Sequence, residues 1–320
     1  VSLAQVAQWI REKDHFLLAT HSRPDGDALG SQCALYLTLR YLGKNVRVVN
    51  HDPVPRCYRW LSFCDAVEVS DLLPPHEACI VVDVGDLNRI REGTRREDYA
   101  ALLNIDHHSS GTPFGDLNWV DPTAAATGEM IYRLIRELGV PVDKPIAEAI
   151  YTTVVTDTGG FRYSNTTSRV LRLAADLMDA GADASLICDH IFSNMPRNAF
   201  ELVRLSLATL QTRLDGRVGI MMLSHADFLK SGAEDEDTDG LVNYVRKLDG
   251  TEVGIFLKEY ADSSIRVSFR SRNGLDVGAL AASLGGGGHK YASGVTLKGP
   301  LEAALDGVMT VLTEAFLKKK

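Results

Sequence analysis

Apolar and polar positions follow two rhythms along this chain. "DHFLLAT" (14–20) is a short apolar run with polar flanks and predicts a strand. "DALGSQCALYLTLRYLG" (27–43) carries apolar residues at helical spacing and stops at Gly43. "NVRVVN" (45–50) returns to the strand pattern. Strand, helix and strand make a βαβ unit, whose expected outcome is a parallel pair. "ACIVVDVGD" (78–86) and "ALLNIDHH" (101–108) predict two more strands, each running out into acids or histidines. "TGEMIYRLIRELG" (127–139), "PIAEAIYTTVVTD" (145–157) and "TSRVLRLAADLMDAG" (167–181) predict helices, as does the leading "VSLAQVAQWIREKDHF".

The second half has a different order. "PRNAFELVRLSLATLQTRL" (196–214) predicts a long amphipathic helix able to join two domains. Strands follow at 217–224, 251–260 and 264–272. Then come the glycine run "GGGGHK" (285–290), a strand at 292–297 and a closing helix. The expected fold class is α/β. An N-terminal domain (1–190) has a mainly parallel sheet flanked by helices. A linker helix (191–214) leads to a smaller mixed α/β domain (215–320). A chain of 320 residues suits two domains of roughly 100–200 residues each.

Composition narrows the function. A net charge of −8 argues against a long basic groove for duplex nucleic acid, but leaves room for a short anionic substrate. No run approaches the ~18 apolar residues of a membrane span. The five scattered cysteines lack any CxxC pair, which indicates a reducing compartment. A cytoplasmic protein with no membrane partner is the expectation. The charge runs "EDEDTDG" (234–240) and the final "KKK" are read as solvated faces. An EF-hand beginning at Asp235 fails, because Arg246 stands where the bidentate Glu belongs. No GxSxG elbow is present for a serine hydrolase.

The chemistry concentrates where strands end, the position at which open parallel sheets bind ligands. His21, Asp25 and Asp27 follow the first strand, Asp83 lies in "VVDVGD", and Asp106, His107 and His108 form "DHH". Asp157 closes a helix in "VVTDTGGF". Each has a structural explanation taken singly. Asp25 or Asp27 can cap the helix that follows, Asp83 and Asp157 can close turns, and a single histidine is commonly structural. Together, five carboxylates in one place repel one another unless cations neutralise them. Mixed imidazole and carboxylate donors suit Mn²⁺, Fe²⁺, Co²⁺ or Zn²⁺. The donor count exceeds one ion's needs, so two ions about 3.5–4 Å apart are expected, a geometry that generates hydroxide and clamps a phosphoryl group.

In "HSRPDGDALGS", Gly26 is expected to let the backbone turn tightly between Asp25 and Asp27. "SFRSR" places Arg270 and Arg272 on one strand face, where either can fork onto phosphate. "GGGGHKYASG" lacks a Walker ending. It reads either as a flexible turn or as a backbone N–H cradle for an anion.

"HSRPDGDALGS", "VVDVGD", "IDHHSS" and "VVTDTGGF", in this order, resemble the four motifs of the DHH phosphoesterase superfamily. "RVSFRSR" with "GGGGHKYASG" resembles the associated C-terminal domain of its RecJ-like branch. In size and layout the chain is similar to the stand-alone NrnA-like nanoRNase/pAp phosphatase group. The resemblance implies one ion held by His21, Asp25 and Asp83. It implies a second held by Asp27, Asp83, His107 and Asp157, with a bridging hydroxide as nucleophile. Mn²⁺ is the expected metal, with Mg²⁺ or Co²⁺ as substitutes. Asp106 would orient a histidine, and His108 would stabilise charge on the scissile phosphate. None of these eight positions departs from the family pattern. Arg270, Arg272, Gly286, Gly287, Gly288 and His289 would contact substrate.

The implied activity is hydrolysis of short oligoribonucleotides and linear dinucleotides to nucleoside 5′-monophosphates. Adenosine 3′,5′-bisphosphate would be a further substrate, and a homodimer the assembly. The same site also fits a cyclic-dinucleotide phosphodiesterase, a single-strand DNA exonuclease or a polyphosphatase. A non-enzymatic nucleotide-binding regulator is disfavoured by the intact donor set.

Overall fold

Phe16, Leu17, Leu18 and Ala19 are all buried. A strand apolar on both sides belongs inside a sheet covered on both faces. The computed structural model describes residues 1–72, 76–108, 111–238, 240–272 and 275–318, and the side chains of His289 and Lys318 lie outside that description. The chain divides into two units, Val1–Asn194 and Met195–Lys320.

The first unit contains β1 (His15–Ala19), β2 (Asn45–Asn50), β3 (Val67–Val69), β4 (Ala78–Val82), β5 (Leu102–Asp106) and β6 (Leu117–Val120). They form one sheet in the order β3-β2-β1-β4-β5-β6, and every pair is parallel. Its helices are α1 (Leu3–Arg11), α2 (Gly26–Tyr41), α3 (Thr127–Leu138), α4 (Lys144–Asp157), α5 (Ser168–Asp179) and α6 (Ala184–Cys188). The predicted helices and strands fall within a few residues of these bounds. The short strands β3 and β6 are additional: Val67-Glu68-Val69 and Leu117-Asn118-Trp119 alternate, but over too few residues to mark a strand.

One sheet face, with Phe16, Leu18, Ile80, Val82 and Ile105, packs on helical residues such as Leu29, Leu35, Ile131 and Ile150. The opposite face, with Leu17, Cys79, Val81 and Leu102, is covered by Ile90 and Tyr99. Those two come from a segment with only short 3₁₀ turns, Leu87–Arg89 and Arg96–Asp98. The direction of strand succession reverses between β1 and β4, the place where such sheets open toward a ligand.

Three helices converge beside that reversal because glycines let them approach. Gly26 is the first residue of α2 rather than a turn residue, which corrects the expected role of this glycine. A Cβ there would overlap Thr156 of α4. One at Gly30 would overlap the Ala149 carbonyl and Thr153, and one at Gly128 of α3 would also overlap Thr153. Asp27, Thr127 and Asp157 are brought to one place by this contact.

The second unit holds α7 (Arg197–Ala208), β7 (Gln211–Arg213), β8 (Val218–Leu223), α8 (His225–Ser231), α9 (Val242–Val245), β9 (Val253–Glu259), β10 (Ser264–Ser271), α10 (Val277–Ser283), β11 (Gly287–His289), β12 (Ala292–Lys298) and α11 (Leu301–Lys318). Its sheet order is β11-β12-β10-β9-β8-β7. β8 and β9 are parallel and the remaining pairs antiparallel. The helix predicted for 196–214 ends at Ala208, because Gln211–Arg213 pairs with β8 as an edge strand.

"EDEDTDG" is not the solvated run that its composition implies. Asp237 and Thr238 are buried. Lys258, itself buried on β9, donates to Asp235 Oδ1 at 2.7 Å and Thr238 Oγ1 at 2.8 Å. A buried ammonium requires such partners. Among the described residues no helix is long and apolar enough to cross a membrane.

Candidate metal centre

β1, β4 and β5 end side by side, and each delivers donors just past its last residues. Thr20 follows β1 and donates its hydroxyl to the Val82 carbonyl at 2.9 Å, tying the ends of β1 and β4. His21 comes next. The loop after it is pinned by Ser22 N–H to the Arg89 carbonyl (2.7 Å) and Arg23 N–H to Asp52 Oδ2 (2.7 Å). Asp83 follows β4 directly, with φ +60°. Asp tolerates this left-handed region better than most residues, and such strain gathers at functional sites.

Asp25 and Asp27 have different tasks. Asp25 is the N-cap of α2, and its Oδ1 accepts from the amides of Asp27 (3.0 Å) and Ala28 (3.1 Å). The capping role expected of Asp25 or Asp27 therefore falls to Asp25. Asp27 lies inside α2, fully buried. It accepts instead from the amides of Thr127 and Gly128, at 2.7 and 3.1 Å, and from Ser31 Oγ at 3.2 Å. Asp27 thus caps α3.

The imidazoles are aimed by their second nitrogens. His21 Nδ1 lies 2.9 Å from the Ser22 carbonyl and His107 Nδ1 lies 3.2 Å from the Ala124 carbonyl. A carbonyl only accepts, so Nδ1 carries hydrogen in both rings and Nε2 faces the carboxylates. His21 Nε2 is 3.5 Å from Asp83 Oδ2 and 3.9 Å from Asp25 Oδ1. His107 Nε2 is 3.2 Å from Asp157 Oδ2, 3.6 Å from Asp27 Oδ2 and 3.7 Å from Asp83 Oδ1. The two oxygens of Asp83 therefore face different imidazoles. His108 Nδ1 is 2.6 Å from Asp106 Oδ1 and 3.6 Å from Asp83 Oδ1.

The protonation pattern follows from this crowding. Burial disfavours charge on His21, but Asp83 and Asp25 outweigh it and hold the imidazole up to about 9. Burial likewise opposes the His107 cation, which Asp157, Asp27 and Asp83 nonetheless hold up to about 11. His108 moves the same way: burial opposes its charge, and the Asp106 contact prevails. Burial, with the charges of Asp83 and Asp157, pushes Asp27 well above the ordinary carboxylate range. Burial also raises Asp157, against its contact with His107, to about 6. Burial acts on Asp83 in the same sense, but His21, His108 and His107 together pull it below its ordinary value.

The donor set fits divalent metal. The ligand atoms of His21, Asp25 and Asp83 lie within 4.8 Å of one another, as do those of Asp27, His107 and Asp157. Asp83, His107 and His108 form a third such group, but His108 Nδ1 is engaged by Asp106. Such ions take mixed nitrogen and oxygen donors, and their charge would offset the repulsion among the buried carboxylates.

The structure brings all eight predicted residues of the first unit together. In the second unit, Arg270 and His289 both pair with Ala292, from opposite sides of β12. Arg272 lies past β10 at an exposed bend, so strand alternation reaches Arg266, Ser268 and Arg270 but not Arg272. The glycine run ends α10 and then forms edge strand β11, where a Cβ at Gly286 or Gly288 would overlap β12. The expected base or phosphate contact of His289 concerns a side chain outside the described residues. Thr127, Gly128 and Asn165 went unnoticed in the sequence. Asn165 Nδ2 donates to the Asp157 and Ala125 carbonyls, both at 3.1 Å. Only Gly128, a poor helix former in a first turn, carried a local signal.

A parallel sheet whose strand ends meet in such a donor set, joined to a mixed α/β unit, defines the class: the chain belongs to the DHH family. Residues 15–154 match the DHH family, N-terminal domain, and residues 218–317 match the DHHA1 domain. Among relatives, it is 37% identical to the bifunctional oligoribonuclease and PAP phosphatase NrnA of Thermus thermophilus, covering 93% of this chain and 89% of that one. An exopolyphosphatase-related protein from Bacteroides fragilis superposes with a TM-score of 0.91 at 26% identity, covering 99% of this chain and 95% of that one. RecJ in complex with Mn²⁺ from Thermus thermophilus is similar in fold alone, with a TM-score of 0.54 at 15% identity. That match covers 98% of this chain and 54% of RecJ.

Proposed function

We propose that this chain is a metal-dependent phosphoesterase with two ions, Mn²⁺ by preference. It hydrolyses short oligoribonucleotides and linear dinucleotides to nucleoside 5′-monophosphates, and adenosine 3′,5′-bisphosphate to AMP. The observation that carries the reading is Asp83, whose two oxygens face separate donor sets. The names of the relatives support the substrates: the Thermus and Bacillus subtilis proteins are oligoribonucleases and PAP phosphatases, at 37% and 33% identity.

His21, Asp25 and Asp83 would hold one ion, and Asp27, Asp83, His107 and Asp157 the other. Bound there, two ions supply a water of lowered pKa and neutralise charge on the phosphoryl oxygens. Asp106 accepts from His108 Nδ1–H and keeps that ring in one tautomer and orientation. His108 donates to the oxygen on which charge grows. Arg270, Arg272, the amides of Gly286, Gly287 and Gly288, and His289 contribute phosphate and base contacts. Short substrates, rather than long duplex, suit the net charge of −8. The assembly is a homodimer, tested by light scattering on the purified protein.

The test is a product time course with Mn²⁺ or Mg²⁺. Its substrates are labelled oligoribonucleotides of graded length, cyclic di-AMP, adenosine 3′,5′-bisphosphate and polyphosphate. Mononucleotide release from dinucleotides, with turnover falling as length grows, is expected. Failure to cleave any dinucleotide or release phosphate from the bisphosphate would overturn the reading. Turnover of polyphosphate alone would replace it.

A further inference from the structure

The start of α3 is capped from a distance. Its N-cap residue, Ala126, makes no side-chain cap bond. The first-turn amides of Thr127 and Gly128 are instead taken by the Asp27 carboxylate of α2. The Thr127 hydroxyl then donates to Asp83 Oδ1 at 3.0 Å. One fully buried residue therefore touches both buried carboxylates, Asp27 through its backbone and Asp83 through its side chain.

This turn is itself braced. Glu129 is buried and accepts from Ala125 N–H at 3.0 Å. Its other oxygen pairs with Arg169 at 2.6 Å. Gly128 presses on Thr153 too closely for any side chain. The hydroxyl of Thr127 is thus presented to Asp83 from a fixed frame.

That matters because the backbone alone does not orient a carboxylate. The terminal torsion of Asp is broad and nearly two-fold. A carboxylate that serves two donor sets needs its plane set so that one oxygen faces each. Asp83 Oδ2 faces His21 at 3.5 Å, and Oδ1 faces His107 at 3.7 Å. The hydroxyl of Thr127 lands on Oδ1 at 3.0 Å, closer than His107 or His108, which faces the same oxygen at 3.6 Å.

We propose that Thr127 is a positioning residue of the metal centre: its hydroxyl sets the plane of the Asp83 carboxylate, and its amide holds Asp27 in the same frame. The inference rests on the two-metal reading above. A purely structural hydroxyl would lower stability and leave metal affinity untouched.

Mn²⁺ titration calorimetry on metal-stripped full-length protein separates the two. T127V keeps the shape and removes the hydroxyl, T127A removes it without bulk, and T127S retains it. T127V and T127A should lose about 10–100-fold in Mn²⁺ affinity, the range for partners that orient a metal ligand. T127S should bind as wild type does, and melting in chelator should show T127V and T127A still folded. Wild-type Mn²⁺ affinity in T127V and T127A, or a T127S as weak as T127V, would overturn the proposal while leaving the two-metal reading intact. Absence of Mn²⁺ binding by the wild-type protein would remove both. Loss of the fold in both hydroxyl-free variants would make the residue structural and also overturn the proposal.

Discussion

Asp83 carries two constraints that are separable by mutation. Its left-handed backbone favours Asp or Asn, and its carboxylate faces two donor sets. Asp83→Asn keeps the first and removes the charge that the second needs. Hydrolysis by D83N should fall by more than the about 10–100-fold typical of losing a partner one step removed from the metal. Its melting curve in chelator should stay close to wild type. Substantial retained turnover would contradict a bridging role. Asp106 contacts His108 Nδ1 at 2.6 Å, and on the proposed reading it acts through that ring. D106N should therefore lower kcat by about 10–100-fold and leave KM for a dinucleotide little changed. A pure KM effect would assign Asp106 to substrate binding instead.

At the scale of elements, the site depends on how closely α2, α3 and α4 approach. Gly30 faces the Ala149 carbonyl and Thr153 with no room for a methyl group. Gly30→Ala should cost about 1–3 kcal/mol of stability, the usual penalty for overpacking a tight contact. Urea unfolding of the metal-free protein measures it. The contact also positions Asp27 against Thr127, so G30A should weaken Mn²⁺ binding as well as the fold. An unchanged unfolding midpoint would show that α2 can shift at no cost. The strands were legible because buried parallel strands read as continuous apolar runs. "GGGGHK" was not legible as a strand. Glycine has no side chain to mark a pleat, and only the close approach of β12 makes it an edge strand.

For the whole molecule, the sheet's reversal at β1 and β4 gathers carboxylates and imidazoles whose charges depend on one another. Burial opposes charge on His21 and His107, yet the carboxylates hold them up to about 9 and about 11. Without metal, both rings are imidazolium cations at neutral pH, with Nε2 protonated as well as Nδ1. An ion held by these residues would need Nε2 deprotonated, so loading would release protons and affinity would rise with pH until those values are passed. Each proton released adds up to about tenfold in affinity per pH unit. Calorimetry in buffers of different ionisation heat should show proton release on Mn²⁺ binding near neutral pH. Affinity independent of pH between 6 and 8 would show that the rings are neutral before metal arrives.

The eight candidate residues of the first unit, and the strand or helix end that carries each, were legible in the sequence alone. The reason is local: periodicity marks the element, and polar residues just beyond its end mark the site. The division of labour among those residues was decided only by tertiary structure. Asp27 caps α3 across 100 positions, and Thr127 reaches Asp83 across 44. Neither contact exists until the glycines of α2 and α3 let three helices pack on one another. No pattern within a single element records which amide or hydroxyl will meet a given carboxylate once they do.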